Sequence, residues 1–255
     1  MASLKSPGLI LKKTPFSDSS LILKVFTRES GLITLIAKGA KRPKSKYHGL
    51  LDFFTLDQFV YPAKSKSEIH TLMEVGLMRD FPRLKSDPAR QSLAHVFLEL
   101  YLKYVPEPEQ SHPHFELLLE RLGRIDEARE FDPVLELCDF LLALCAVSGF
   151  SPQFSECAQC GRTDLGFRAR LDPDLGGPVC ATCSGTGGGA GAGSFSARLL
   201  RWLTRLQACG PRAGRIPREE EAQAEAFLLA FLGKHAGGSR PMKSLDFYHQ
   251  MLEPL

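Results

Sequence analysis

The sequence predicts an α+β protein with more than one domain, in which a small β-barrel precedes an all-α domain. Short runs of strand-forming residues fill positions 1–80, and apolar residues at helical spacing follow them. Two Cys-x-x-Cys pairs stand beyond residue 150. Because 255 residues allow more than one domain, we expect a first domain at 1–80 and a second at 81–255, with a cysteine-containing ribbon inserted at about 152–186.

Five strand-like runs are predicted in the first 80 residues. Two of them, residues 20–27 and 32–37, flank a Gly-containing turn and so predict a hairpin. The other runs cover residues 8–13, 51–61 and 69–75. Five short strands without a helical pattern favour an OB-fold, a partly open five-stranded barrel whose face and loops bind oligonucleotides. An SH3-like barrel is the alternative, since periodicity does not distinguish the two.

Positive charge is concentrated in the first third of the chain. Residues 1–80 contain thirteen Lys and Arg against seven Asp and Glu, a net charge of +6, whereas residues 81–150 carry −5 and residues 151–255 carry +2. An anionic partner is therefore expected to bind at residues 1–80. No acidic residue occurs between residues 30 and 51.

A loop at residues 38–49 is the centre of this charge and is predicted to contact the phosphates of DNA. The predicted DNA-binding residues are Lys38, Lys41, Arg42, Lys44 and Lys46 in the loop, with Lys12, Lys13, Lys24 and Arg28 nearby in sequence. Tyr47 and His48 are candidates for stacking on bases beside these cations. A solvated loop without a ligand is the alternative.

Helical spacing of apolar residues predicts five helices. They cover residues 87–104, 114–125, 132–149, 197–209 and 217–232. The third is apolar on nearly all sides and is expected to be the central core helix. Ser194 or Ser196 is expected to cap the fourth, and the Gly-rich run 185–193 before it is expected to be a linker.

Cys157, Cys160, Cys180 and Cys183 form two Cys-x-x-Cys pairs with nineteen residues between them. This spacing predicts a four-thiolate zinc site, because each pair can form a tight turn that directs both sulfurs at one ion. Two disulfides are less favoured without an oxidising compartment, and a redox Cys-x-x-Cys usually occurs singly. Four protein ligands leave no open position, so we expect one structural zinc ion.

Composition and motifs argue against several classes of function. The first residues lack the apolar run of a signal peptide, and no apolar run in the chain has membrane-spanning length. We therefore expect a cytoplasmic location and no membrane partner. No G-x-S-x-G, H-E-x-x-H, P-loop or acidic metal cluster is present. We expect that the protein is not an enzyme and has no small-molecule substrate.

Several segments together resemble one family, the bacterial DNA repair and recombination protein RecO. The segments are residues 17–23, 26–32 and 37–45, the two cysteine pairs after a helical region, and the tail at 240–245. Residues 80–150 are similar only in being an apolar helical region. The Gly-rich run 185–193 departs from the family pattern.

The resemblance implies a nucleoid-associated recombination mediator. Such a protein binds single- and double-stranded DNA, anneals complementary strands and, with RecR, loads RecA onto strands coated by single-stranded-DNA-binding protein. The C-terminal tail of that coating protein would dock on the helical domain. The alternative is a scaffold in which the OB-fold and zinc ribbon bind protein partners rather than DNA. A nuclease is less favoured because the acidic metal cluster is missing.

Overall fold

A computed structural model describes residues 2–63, 68–104, 111–166, 169–184, 195–237 and 241–252. The predicted linker at 185–193 lies outside these residues, as do parts of the predicted ribbon strand and of the tail. The chain forms two compact units, Met1–Arg129 with Met242–Leu255, and Glu130–Pro241. The predicted domain boundary near residue 80 stays a prediction. No helix among the described residues is long and apolar enough to cross a membrane.

The first unit contains a six-stranded sheet with the order β5-β3-β2-β1-β4-β6. The strands are β1 (Ser3–Pro15), β2 (Leu21–Thr27), β3 (Gly31–Ala37), β4 (Thr55–Pro62), β5 (Ile69–Thr71) and β6 (Glu74–Asp80). The predicted hairpin is formed by β2 and β3, with Thr27 opposite Gly31. Gly31 has a positive φ of 63°, a conformation that glycine adopts without strain.

The predicted strand at 69–75 is divided in two, and each part pairs with a different side of the sheet. β5 runs parallel to β3, whereas β6 is antiparallel to β4. At the bend between them the Leu72 N–H donates to the Ile36 carbonyl at 3.0 Å and the Met73 N–H donates to the Val60 carbonyl at 2.9 Å. β5 and β6 do not pair with each other, so the OB-like sheet is open rather than a closed barrel.

One face of this sheet packs into a core that also includes residues of the following loop. The buried members are Ile10, Leu23, Val25, Leu35, Ala37, Tyr47, Leu51, Phe59, Tyr61 and Leu72. Gly8 is required where β1 passes these side chains, because a Cβ there would lie 2.8 Å from Val25 Cγ1 and 2.9 Å from Phe59 Cδ2. The core therefore includes the loop between β3 and β4 as well as the strands.

The described residues of the first unit also form α1 (Pro82–Ser86), α2 (Pro88–Tyr104), α3 (Ser111–Glu127) and α7 (Lys243–Leu252). The predictions of α2 and α3 are confirmed, whereas α1 and α7 were not expected. Asp87 precedes α2, and its carboxylate accepts a hydrogen bond from the Ala89 N–H at 3.0 Å, as helix-capping residues do. The Ser244 hydroxyl and N–H both donate to Glu99 of α2, at 2.6 and 2.8 Å.

The second unit contains α4 (Pro133–Val147), α5 (Ala197–Cys209), α6 (Arg218–His235) and a two-stranded ribbon of β7 (Arg170–Asp172) and β8 (Gly177–Val179). A 3-10 turn, Gly210–Ala213, follows α5. The prediction that α4 is a core helix is confirmed, since Leu137, Cys138 and Phe140 are fully buried. Ser196 caps α5, because its hydroxyl accepts from the Leu199 N–H at 3.0 Å. The prediction of a helical region with a cysteine ribbon is confirmed.

Candidate metal centre and nucleic-acid interface

The two Cys-x-x-Cys pairs form similar turns. In the first, the Gly161 N–H donates to the Cys157 carbonyl at 2.8 Å, and Gly161 has a φ of +72°. In the second, the Ser184 N–H donates to the Cys180 carbonyl at 2.9 Å. The Ala158 N–H of the first turn donates to the Pro178 carbonyl of β8 at 2.7 Å, and β8 leads directly into the second turn, so the two turns lie side by side.

The ribbon places the four cysteine sulfurs within 4.8 Å of one another. The Sγ atoms of Cys160 and Cys180 are 3.8 Å apart. A tetrahedral Zn²⁺ with Zn–S bonds of about 2.3 Å separates its sulfurs by about 3.8 Å. This is the only group of three or more potential metal ligands among the described residues. The cluster fits zinc binding.

Backbone N–H groups point at the sulfurs of this cluster. The Cys180 N–H donates to Cys157 Sγ at 3.3 Å, and the Cys183 N–H donates to Cys180 Sγ at 3.4 Å. Burial opposes ionisation of Cys157, but N–H groups of Cys180, Cys160 and Gln159 outweigh it and lower the pKa of the Cys157 thiol to about 6. The Cys183 N–H likewise lowers the pKa of Cys180.

The thiols also affect the ionisation of one another. Contact with the Cys160 thiol, and with the thiols of Cys180 and Cys157, raises the pKa of Cys183 to about 12. Four thiolates this close together repel each other unless a cation lies between them. A divalent metal ion removes this repulsion and binds the thiolate forms. The donor set is therefore suited to a soft cation such as Zn²⁺.

Contacts with α6 hold the ribbon in the second unit. Gly176, in the turn before β8, has a φ of +74°, and a Cβ there would lie 2.9 Å from Phe231 Cε2 of α6. Lys234 of α6 forms an ion pair with Asp174 at 2.8 Å. The Gln153 N–H donates to the Gly176 carbonyl at 2.9 Å. These contacts connect the ribbon to the helices around α4.

The loop between β3 and β4, here called the basic loop (residues 38–54), is held by backbone hydrogen bonds and by a core residue. The Lys41 N–H donates to the Ser19 carbonyl at 2.9 Å, which connects the basic loop to the turn between β1 and β2. Tyr47 is buried, and its hydroxyl donates to the Leu72 carbonyl at 2.8 Å. Two internal positions of the basic loop, Lys41 and Tyr47, are thus fixed, while its Lys and Arg side chains are exposed.

The five predicted cations of this loop, Lys38, Lys41, Arg42, Lys44 and Lys46, are all exposed. None of them forms an ion pair among the described residues. Lys41 and Lys46 hydrogen-bond through Nζ to the carbonyl groups of Ser17 and Met73. Such bonds orient an ammonium group without neutralising its charge, so the loop presents a surface with unpaired positive charge.

The four other predicted DNA-binding residues fall into two pairs. Lys12 and Lys24 are directly opposite each other on β1 and β2, and both are exposed. Lys13 donates to the Leu51 carbonyl at 3.0 Å and lies 4.4 Å from the centre of the Phe53 ring. Arg28 forms an ion pair with Glu116 of α3 at 2.7 Å. Lys13 and Arg28 therefore have roles within the fold, and their part in DNA binding stays a prediction.

The expected stacking residues are only partly suitable. Tyr47 is buried in the core of the sheet, so the expectation that it stacks on bases is wrong, whereas His48 is exposed. Phe16 was not expected from the sequence, yet it lines an open cleft of about 380 Å³ together with Lys38 and Arg42. The sequence signal for Phe16 is an aromatic residue between Pro15 and Ser17 in a turn-forming segment.

A larger open cleft, of about 890 Å³, lies in the second unit between the first cysteine turn and α5. Phe154, Leu165 and Leu200 give it an apolar lining, and the exposed residues Arg201 and Arg205 line it as well. This cleft combines apolar surface with two guanidinium groups, which bind carboxylates with bidentate geometry.

Comparison with known families decides the identity of the chain. The model of the N-terminal region of recombination protein O matches residues 1–81, and the model of its C-terminal region matches residues 85–246. The chain belongs to the RecO family. The first match covers the sheet with the basic loop, and the second covers α2–α6 and the cysteine cluster.

Individual RecO relatives agree with this assignment. The DNA repair protein RecO of Desulfitobacterium hafniense is 31% identical over 208 residues, which cover 80% of this chain and 74% of the relative. Those of Anaeromyxobacter dehalogenans and Symbiobacterium thermophilum are each 28% identical, over 247 and 239 residues, covering 94% and 90% of this chain and 96% and 92% of the relatives. As a RecO family member, this is a DNA repair and recombination protein.

Proposed function

We propose that this RecO family protein is a recombination mediator that binds single- and double-stranded DNA through the basic loop and promotes annealing of complementary strands. The observation that carries the proposal is the set of five exposed cations on a loop that is held at Lys41 and Tyr47, none of which is ion-paired among the described residues. Lys12 and Lys24 on the adjoining strands extend the same surface in our proposal.

Annealing follows from charge neutralisation in this proposal. Two DNA strands repel each other through their phosphates, and Lys and Arg side chains that bind phosphates release condensed counterions. Neutralised strands can approach until their bases pair. The basic loop contacts backbone rather than base edges, so binding should depend strongly on salt and weakly on sequence. No nucleotide hydrolysis is needed for this step.

The test is a salt titration of DNA binding by a variant with all five loop cations changed to Ala: Lys38, Lys41, Arg42, Lys44 and Lys46. If each cation neutralises one phosphate, the slope of log K against log salt should fall by about 4.5 for duplex and about 3.5 for single strands. Annealing of complementary strands should slow in parallel. Unchanged affinity at low salt would refute the proposal.

A charge-matched variant serves as the control. It changes five exposed cations outside the basic loop to Ala: Lys5, Arg129, Arg212, Arg218 and Lys243. The total charge changes by the same amount, so a general electrostatic effect would weaken binding equally in both variants. We expect the control to keep most of its salt slope. Equal losses in the two variants would argue for a diffuse charge effect instead of a loop-specific site.

We propose further that the protein acts with RecR to load RecA onto strands coated by single-stranded-DNA-binding protein. The tail of the coating protein would dock in the 890 Å³ cleft, since a chain terminus carries a carboxylate that Arg201 or Arg205 can bind. Family membership supports this proposal. Docking of the tail is tested by the same annealing assay on strands coated with full-length or tail-truncated binding protein. We expect the protein to be recruited only to strands coated with the full-length form.

We also propose that the four-cysteine cluster holds one structural zinc ion. The separation of the sulfurs and the N–H groups directed at them support this assignment. All four tetrahedral positions would be occupied by protein sulfur, which leaves none for water or substrate. Zinc would stabilise the ribbon, and the DNA-binding chemistry would remain with the cations of the first unit.

A further inference from the structure

Phe16 differs from the other aromatic residues of the sheet in its exposure. It is 53% exposed, whereas Tyr47 is 4% exposed and Phe59 is fully buried. In the described ranges 2–63 and 68–80 it is the only exposed Phe, Tyr or Trp. Placing an apolar ring of this size in water is unfavourable, and an exposed aromatic beside cations is a feature of sites that bind single strands.

The ring of Phe16 is also free of aromatic and cationic partners among the described residues. Phe53 gives the contrast, because the ammonium group of Lys13 lies 4.4 Å from its centroid and the His95 ring lies 5.4 Å away. The ring of Phe53 is therefore already in contact with other side chains of the protein. Phe16 retains a face to which a planar ligand can bind.

Phe16 shares its cleft with two cations that lack ion-pair partners in the described part of the chain. Lys38 and Arg42 line the same 380 Å³ cleft, along with Ile36, Ser19 and Ser20. Gly39 has a φ of +73°, and a Cβ there would lie 3.7 Å from Arg42 Cδ. The positive φ favours glycine at this position, and the 3.7 Å spacing shows that the Arg42 side chain lies beside the Gly39 backbone at the edge of the cleft.

Backbone hydrogen bonds fix the segment that carries Phe16. The Phe16 N–H donates to the Ser20 carbonyl at 3.0 Å, which closes the turn between β1 and β2. The basic loop contacts this turn twice, through the Lys41 N–H to the Ser19 carbonyl at 2.9 Å and through Lys41 Nζ to the Ser17 carbonyl at 3.3 Å. A ring on such a segment loses little freedom when it binds a ligand.

We propose that Phe16 is a stacking platform for one unpaired nucleobase, while Lys38 and Arg42 bind the neighbouring phosphates. The proposal rests on DNA binding by the basic loop, as proposed above, and adds a preference for single strands. Bases in a duplex already stack on both neighbours, so a single exposed ring can bind a base only where the strand is unpaired. Phe16 would hold bases of one strand exposed for pairing with the other.

The test compares two single-stranded probes: a short oligothymidylate, and an abasic strand of the same length with the same phosphates. Phe16→Ala should weaken oligothymidylate binding roughly 5- to 150-fold, the range expected for one stacked base. Its affinity for the abasic strand and for duplex DNA should stay within about twofold of wild type, because their contacts are mainly with phosphates. Equal weakening on all three probes would overturn the stacking role.

Phe247→Ala is the matched control, because Phe247 is also 53% exposed and lies in α7. We expect it to bind all three probes like wild type. Phe16→Trp should retain oligothymidylate binding, and its new indole should lose fluorescence on stacking. The one native tryptophan, Trp202, is buried and gives the wild-type signal as a baseline. An unquenched Phe16→Trp signal at saturating oligothymidylate would contradict the proposal.

The outcomes separate this proposal from the one on which it rests. If the five-cation variant loses DNA binding while Phe16→Ala binds oligothymidylate normally, DNA binding by the basic loop is supported and the stacking role of Phe16 is contradicted. If the five-cation variant binds normally, the proposed function fails, whatever Phe16→Ala does. Selective loss of oligothymidylate binding in Phe16→Ala, with loss on all probes in the five-cation variant, supports both.

Discussion

The cysteine cluster and the basic loop are both turn-rich segments, but different forces hold them in place. In the cluster, four sulfurs converge within 4.8 Å and form a closed donor set for one ion. In the basic loop, backbone hydrogen bonds and the buried Tyr47 fix the chain, and the charged groups remain available to solvent. In the functions proposed above, the cluster uses its more specific chemistry for its own stability, and the less distinctive basic loop retains unpaired charge for a ligand.

The largest expected effect concerns the cluster. Cys157→Ser with Cys180→Ser removes one ligand from each turn and should abolish zinc binding, measured as bound metal after gel filtration. Structural zinc contributes about 10–16 kcal/mol to folding in small zinc modules, so the ribbon should unfold. DNA affinity at low temperature should fall much less than ribbon stability, since the basic loop lies in the other compact unit.

Cys209→Ser is the control for this variant. Cys209 lies at the end of α5 outside the cluster, and its thiol donates to the Arg205 carbonyl at 3.0 Å. This substitution should leave the zinc content at the wild-type value. A double variant that keeps its zinc would contradict the four-thiolate site. A double variant that loses zinc and DNA binding together would contradict the claim that DNA binding in the basic loop is independent of zinc binding in the cluster.

The two regions also differ in how well the sequence predicted them. The cysteine spacing predicted the cluster because a Cys-x-x-Cys turn is local, and each turn fixes two ligands regardless of the surrounding fold. The helices α2–α6 followed from apolar periodicity for the same local reason. The exposure of Lys38 and its neighbours also agrees with the expected loop.

The errors arose where contacts between distant parts of the chain decide the structure. Tyr47 belongs to the core because its hydroxyl meets the Leu72 carbonyl, which is 25 residues away and absent from any local pattern. The strand predicted at 69–75 is divided because Leu72 and Met73 donate to opposite sides of the sheet. α7 was not predicted because its N-terminus is fixed by Glu99, a residue from another helix.

A medium effect is expected at the core residue that holds the basic loop. Tyr47→Ala removes a buried ring and should destabilise the first unit by about 3–5 kcal/mol. All five loop cations remain, so any loss of DNA affinity would report loop order rather than charge. Tyr47→Phe is the matched control and should cost about 1 kcal/mol, the value of one hydrogen bond, with DNA affinity unchanged.

Urea unfolding and DNA titration of the two Tyr47 variants, at a temperature where both are folded, measure these effects. We expect Tyr47→Ala to bind DNA more weakly than Tyr47→Phe at every salt concentration. If Tyr47→Ala binds as tightly as wild type, the fixed loop geometry contributes nothing to affinity. The basic loop would then act as a flexible set of charges, and its contrast with the cluster would become sharper.

The smallest expected effect is a pH dependence of the stability of the sheet. Asp57 of β4 is 1% exposed, and its burial raises the pKa of the carboxyl from an ordinary 3.8 to about 6, although the Thr55 hydroxyl and Lys85 oppose the shift. The Thr55 hydroxyl lies 3.0 Å from the Asp52 carbonyl and 2.9 Å from Asp57 Oδ2. A hydroxyl has one proton, so a protonated Asp57 satisfies both hydrogen bonds at once.

The sign of the pH dependence follows from this shift. Between pH 3.8 and about 6 the folded state binds more protons at Asp57 than the unfolded state, so stability falls as the pH rises through this window. Above it the cost is constant, up to about 3 kcal/mol. Asp57→Asn is neutral and should remove the cost, so the variant should be more stable than wild type at pH 7 and similar to it near pH 4.

Amide hydrogen exchange of β1 and β4 is the appropriate measurement, because Trp202 reports only on the second unit. Acid also weakens zinc binding, since thiolates must be unprotonated to bind metal, and this effect has the opposite direction. Wild type and Asp57→Asn carry the same cysteines, so the difference between them cancels the zinc contribution. A difference in protection that stays constant from pH 4 to pH 7 would show that Asp57 does not titrate in this window, and the raised pKa of its carboxyl would then be contradicted.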